Sequence, residues 1–134
     1  GDLASALGEE GAARARGLSP AQARWLVSRY GSRWSRLFEG SPWGTQPLGE
    51  EGIPLAAEVA WAVRQEHVRT LSDLLLRFRL PEIVADEEAA ASMAARLLGE
   101  LAGWSAARTE REWRRWRRER RQMYGGPEAG RDRP

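Results

Sequence analysis

The chain contains no cysteine, no lysine and no asparagine, and only one histidine. Without cysteine, disulfides, thiolate metal sites and thiol catalysis are excluded, which suits a reducing cytoplasm. Without lysine, a Schiff base or a lowered-pKa amine is excluded. All 21 cations are therefore arginine, a bias that fits a GC-rich coding sequence more simply than a functional choice. It also favours fixed ion pairs, because the guanidinium is always charged and binds carboxylates through a planar fork. Nineteen acids leave a net charge of +2, so bulk charge gives little reason to expect a nucleic-acid partner. No apolar run reaches about 18 residues, the length that would span a membrane. A basic region followed by an apolar core is missing at the N-terminus, so no secretory signal is read. The chain does not begin with Met, which points to an excised or processed piece.

What is present suits one helical domain. At 134 residues, with 42% apolar residues and seven Trp, the chain can bury a single core. Residues 1–17 are rich in Ala, Gly and Glu with few large apolar side chains, and read as a flexible or short helical segment. Ser19-Pro20 then places an N-cap and a first-turn proline, and Gly31 a positive-φ terminator. Ser32 is placed to cap a second short helix through Trp34, Leu37 and Phe38. The four Gly and three Pro of residues 40–54 predict a loop anchored by Trp43. A third helix is expected over 55–68, with Leu55, Val59, Ala62 and Val63 on one face. Trp61 and Val68 lie off that stripe, which predicts burial on two sides. Thr70-x-x-Asp73 resembles a capping box opening a fourth helix, which Pro81 stops. Asp86 caps a fifth running to Gly103, and Ser105 a sixth running to Gly125. No segment alternates with period two for long enough to form a strand. The expectation is an all-α, single compact bundle of about six helices over 18–124, with a disordered tail at 125–134.

Chemistry-bearing residues are sparse. His67 has no second His, no Cys and no metal-ligand spacing around it, so it reads as a surface or packing histidine. No serine sits in a Gly-x-Ser-x-Gly elbow, and a single histidine would have to serve any triad. The glycines of the 40–54 loop match neither a phosphate cradle nor a dinucleotide fingerprint. An independent enzyme is disfavoured, and no catalytic, cofactor or metal residue is assigned.

Four motifs in order carry more information. Arg29-Tyr30-Gly31-Ser32 comes first, then Ala57-Glu58-Val59-Ala60-Trp61-Ala62-Val63-Arg64-Gln65-Glu66. Thr70-Leu71-Ser72-Asp73, continuing to Arg77-Phe78-Arg79, is third, and Gly103-Trp104 with Arg108 and Glu112 closes the set. Their order and spacing resemble the C-terminal helical domain of FAD-dependent glycerol-3-phosphate dehydrogenases, over about residues 18–116. Trp61 stands where that family has Tyr. Phe78 stands where it has the second of two Arg, and Arg79 follows one step on. The resemblance implies an FAD domain and a substrate domain upstream in the same polypeptide, which would be this segment's partners. It implies a parent enzyme that oxidises sn-glycerol 3-phosphate to dihydroxyacetone phosphate and passes electrons to quinone or oxygen. The implied location is cytoplasmic, at the inner face of the bacterial membrane where the parent is peripheral. FAD belongs to the parent, and none of its ligands can be placed in this segment.

Tyr30, Gly31, Ser32, Glu58, Arg64, Glu66, Asp73, Arg77, Arg79 and Trp104 are thus expected to act structurally or between domains. Glu58 and Arg64, six residues apart, should reach neighbouring helices or backbone ends. Glu66 is placed to bond the free amides of the fourth helix, and Arg77 and Arg79 to complement its C-terminal dipole. The last helix offers a rival reading. It carries eight Arg with Trp113 and Trp116 on one face, so Arg114, Arg115, Arg117, Arg118 and Arg121 could meet a membrane surface, a protein or nucleic acid. A simpler account packs the Trp pair on the core with arginine stems covering its rim.

Overall fold

The computed structural model of the protein describes residues 2–124. The expected disordered tail at 125–134 lies outside the described residues. Six α-helices follow in order: α1 (Asp2–Ala15), α2 (Pro20–Tyr30), α3 (Ala56–Gln65), α4 (Leu71–Phe78), α5 (Glu87–Ala102) and α6 (Ala106–Tyr124). Short 3-10 segments occupy Gly31–Phe38 and Leu80–Glu82. Among the described residues there is no strand, only an isolated bridge between Pro47 and Leu55.

The helix count agrees with the sequence, but its membership differs. The opening segment, expected to be flexible or a short helix, forms the 14-residue α1. Its small apolar face is completed by tertiary contact: Ala13 is fully buried, and Glu9 accepts the Trp34 indole N–H at 2.8 Å. The expected second helix is instead 3-10, and Ser32 does not cap it. It begins directly at the end of α2, where Gly31 turns at φ 60°, so no separate N-cap forms.

Most starts and stops follow local chemistry. Ser19 and Gln22 form a reciprocal capping box at α2, Asp86 accepts the Ala89 N–H, and Ser105 accepts the Arg108 N–H. Gly103, at φ 70°, closes α5. One end differs from expectation. α3 stops at Gln65 because His67 takes a left-handed φ of 58°. α4 ends at Phe78, as the sequence placed it, with Arg79 as a left-handed cap at φ 53° two residues before Pro81.

α3 runs between two apolar clusters, which is the burial on two sides that Trp61 and Val68 predicted. Ala56, Val59 and Ala62 face a cluster with Leu71, Leu74, Phe78, Leu97, Leu98 and Trp116. Leu55, Ala57 and Trp61 face a second with Leu26, Trp34 and Leu37. Trp43 packs its loop against the first cluster, as expected of an anchor.

Candidate functional site

Among the described residues Glu58 is the most deeply buried ionisable group, with no exposed surface. It sits in the first turn of α3, so its side chain reaches back to the helix start, and Oε2 accepts the Leu55 N–H at 2.7 Å. The same oxygen accepts the Trp25 indole N–H at 2.8 Å, and Oε1 accepts the Tyr30 hydroxyl at 2.7 Å. Arg29 Nε completes the set at 3.3 Å. Arg29 is itself held over the Trp25 ring at 4.7 Å and donates to the Arg77 carbonyl at 3.3 Å, so the cluster links α2, α3 and α4. Burial pushes the Glu58 carboxyl above its ordinary range, while the bonds from Tyr30, Leu55 and Trp25 and the Arg29 charge pull it back. Burial and the neighbouring Glu58 raise the Tyr30 hydroxyl strongly, with Arg29 opposing. Enclosed by donors on both oxygens, Glu58 braces helices and is closed to solvent-borne substrates.

A second carboxylate closes α4. The sequence assigned the free amides of α4 to Glu66, but Glu112 on α6 takes the Leu71 N–H at 2.9 Å. Glu66 pairs with Arg77 at 3.6 Å instead, because α3 ends early and leaves Glu66 exposed beside that guanidinium. Thr70 accepts the Asp73 N–H at 3.1 Å, while the Asp73 carboxylate pairs with Arg77 at 3.7 Å. Arg79 pairs with Glu82 at 2.8 Å. Arg108 bonds Glu112 at 3.1 Å and lies 4.8 Å over the Trp104 ring, which brings the closing motif into one contact set. Arg64 donates to the Ala60 carbonyl of its own helix at 3.3 Å and lies against Gly40. Gly31 serves as the turn after α2, and Ser32 is exposed.

Glu58, Tyr30, Arg108 and Trp104 thus belong to two internal braces, and Glu66, Asp73, Arg77 and Arg79 to an outer row of ion pairs, while Gly31, Ser32 and Arg64 belong to neither. The sequence placed Trp25 and Arg29 on α2 but gave neither a role. Their four-residue spacing on α2, with Tyr30 adjacent, was the available signal. His67 is exposed, and among the described residues no group of acids or histidine is arranged to hold a metal.

On α6, Trp116 is buried and Trp113 packs beside it at 5.2 Å between ring centroids. Arg114 pairs with Glu110 at 2.9 Å, Arg115 with Glu119 at 2.8 Å and Arg117 with Glu88 at 3.6 Å. Arg118 and Arg121 are exposed.

The family described as the C-terminal domain of alpha-glycerophosphate oxidase matches residues 2–109. The chain belongs to this family. The alpha-glycerophosphate oxidase match takes in α1 and ends early in α6, so it contains the whole Glu58 cluster and Arg108 but not Glu112. No curated protein and no solved structure matches the chain significantly. Among the described residues no helix is long and apolar enough to cross a membrane.

Proposed function

We propose that this chain is the non-catalytic C-terminal accessory domain of a flavin-dependent glycerol-3-phosphate dehydrogenase or oxidase. It packs on the FAD and substrate domains of the same polypeptide. The parent oxidises sn-glycerol 3-phosphate to dihydroxyacetone phosphate with FAD bound upstream, in the cytoplasm at the inner face of the bacterial membrane. The family match over residues 2–109 carries this reading. The geometry supports an accessory role, because the chain's most enclosed carboxylate is spent on helix bracing.

The coding sequence upstream of Gly1 tests the proposal. An in-frame Gly-x-Gly-x-x-Gly motif about 350 to 400 codons earlier, the length of roughly two further domains, is the expected result. A start codon directly before Gly1 would overturn it.

A further inference from the structure

A shallow cavity of about 480 Å3 is lined by Arg33, Arg36, Glu39, Trp61, Arg64 and Gln65. It brings together the 3-10 segment after α2 and the end of α3, away from any catalytic assignment. Several other arginines are paired with acids, Arg77, Arg108 and Arg115 among them. Among the described residues, no carboxylate pairs with Arg33, Arg36 or Arg64, although Glu39 lines the same cavity.

Two of these guanidiniums, Arg33 and Arg64, are held in place without being neutralised. Arg33 stands 5.7 Å from the centroid of the Trp61 ring, a cation–π contact that fixes position and leaves the charge intact. Arg64 is tethered through Nε to the Ala60 carbonyl, and its terminal nitrogens lie where a side chain at residue 40 would have to be, so Gly40 makes room for them. Three guanidiniums against one carboxylate leave two positive charges facing the cavity. A carboxylate ligand would compensate only one. A phosphate monoester carries about −1.5 to −2 charges near neutral pH and offers three acceptor oxygens. The guanidinium fork matches those oxygens in pairs.

We infer that the Arg33–Arg36–Arg64 cavity is an anion site that takes a phosphate monoester, with the three arginines as its ligands. The site is independent of the accessory-domain reading and stands or falls on its own experiment. Isothermal titration of the full chain with inorganic phosphate, at low ionic strength where screening is weak, is expected to give saturable one-to-one binding. Arg36→Gln and Arg64→Gln should each weaken binding about tenfold, the loss of one charge-assisted contact, while Arg118→Gln leaves it unchanged. All three positions are exposed, and a melting curve for each variant shows that it is folded. Phosphatidylcholine vesicles with and without phosphatidic acid separate the sources of the group. Phosphate-competed sedimentation with the acidic vesicles identifies a lipid headgroup, and phosphate binding without sedimentation identifies a soluble ligand; either outcome supports the site. No saturation at millimolar phosphate, or equal affinity in Arg64→Gln and Arg118→Gln, would overturn it. Binding of an acidic peptide in the absence of phosphate binding would also overturn it, by assigning the cavity to protein docking.

Discussion

The carboxylate of Glu112 accepts the backbone N–H of Leu71 at 2.9 Å, so a side chain on α6 closes the start of a helix 41 residues earlier in the chain. Thr70 supplies the other half of that closure through the Asp73 N–H. Arg108 neutralises Glu112 from the preceding turn of α6. Glu58 does for α3 what Glu112 does for α4, but from within its own first turn. In both places a nearly buried carboxylate satisfies a helix-start amide and is held by an arginine four residues away on α6 or across the helix interface at Arg29. The negative end of each contact also suits the positive pole of the helix it closes.

Removing the Glu112 carboxylate should strand the Leu71 N–H, which is enclosed by the first cluster. Glu112→Ala is expected to lower stability by about 1–3 kcal/mol, the cost of a buried unpaired donor. Glu110→Ala removes an exposed ion pair with Arg114 on the same helix and should stay within about 0.5 kcal/mol. Urea denaturation of both variants checks the contrast, and equal effects would show that the cap contributes nothing.

Glu58→Ala leaves three donors and Arg29 without their acceptor, and should cost about 3–5 kcal/mol. Tyr30→Phe removes one donor and should cost about 1 kcal/mol. The sign of the pH dependence follows from the raised Glu58 carboxyl. A raised folded value adds stability that is complete below the ordinary value of 4.5 and is lost as pH rises through the folded value. The penalty of Glu58→Gln should therefore be larger at pH 4 than at pH 7. A penalty that grows with pH would mean that Arg29 and the three donors outweigh burial.

Tyr30 makes the alkaline limb unusually easy to read. With no lysine or cysteine, the two tyrosines are the only side chains that ordinarily titrate between about pH 9 and 11. The raised Tyr30 value means its stabilisation is intact below about pH 10 and is lost as pH climbs toward the folded value. Stability of the unsubstituted chain should fall by about 1.4 kcal/mol per pH unit above that point. Tyr30→Phe should abolish most of the slope. Denaturation at several alkaline pH values, with absorbance at 295 nm reporting tyrosinate, measures both.

The sequence disclosed the parts of this structure that rest on local chemistry. Ser19-Pro20, Thr70, Asp86 and Ser105 bond amides three residues on, so each start was readable from a few neighbours. Gly31 and Gly103 marked ends for the same reason. What stayed hidden depends on distant partners. α1 has only a narrow alanine face and is secured by the Trp34–Glu9 bond, 25 residues apart. Glu66 seemed the natural acceptor at α4 because it is close in sequence, yet α6 brings Glu112 closer in space. His67 and Arg79 end helices in left-handed conformations that nothing in their residue type announces. Which carboxylate meets which donor among the motif residues depends on how the helices pack, as Glu58 with Tyr30 and Trp25 and Glu112 with Leu71 show.

The arginine-rich α6 can be tested against the rival reading that it binds an anionic partner. Of the five arginines proposed for that face, Arg114, Arg115 and Arg117 are engaged with Glu110, Glu119 and Glu88. Of these five, Arg118 and Arg121 are exposed with no ion pair among the described residues. Trp113 and Trp116, which a base-stacking platform would need in the open, pack on the core instead. Binding to duplex DNA should therefore be weak even at low salt. Each phosphate contact contributes about −0.9 to the slope of log K against log salt, so two contacts give about −2 and five about −4.5. A slope near the smaller value, unchanged in Arg114→Gln but reduced in Arg118→Gln, is the expected result of a fluorescence-anisotropy titration. A slope near the larger value that falls with every substitution would show that the ion pairs open on contact, and would make α6 a nucleic-acid surface after all.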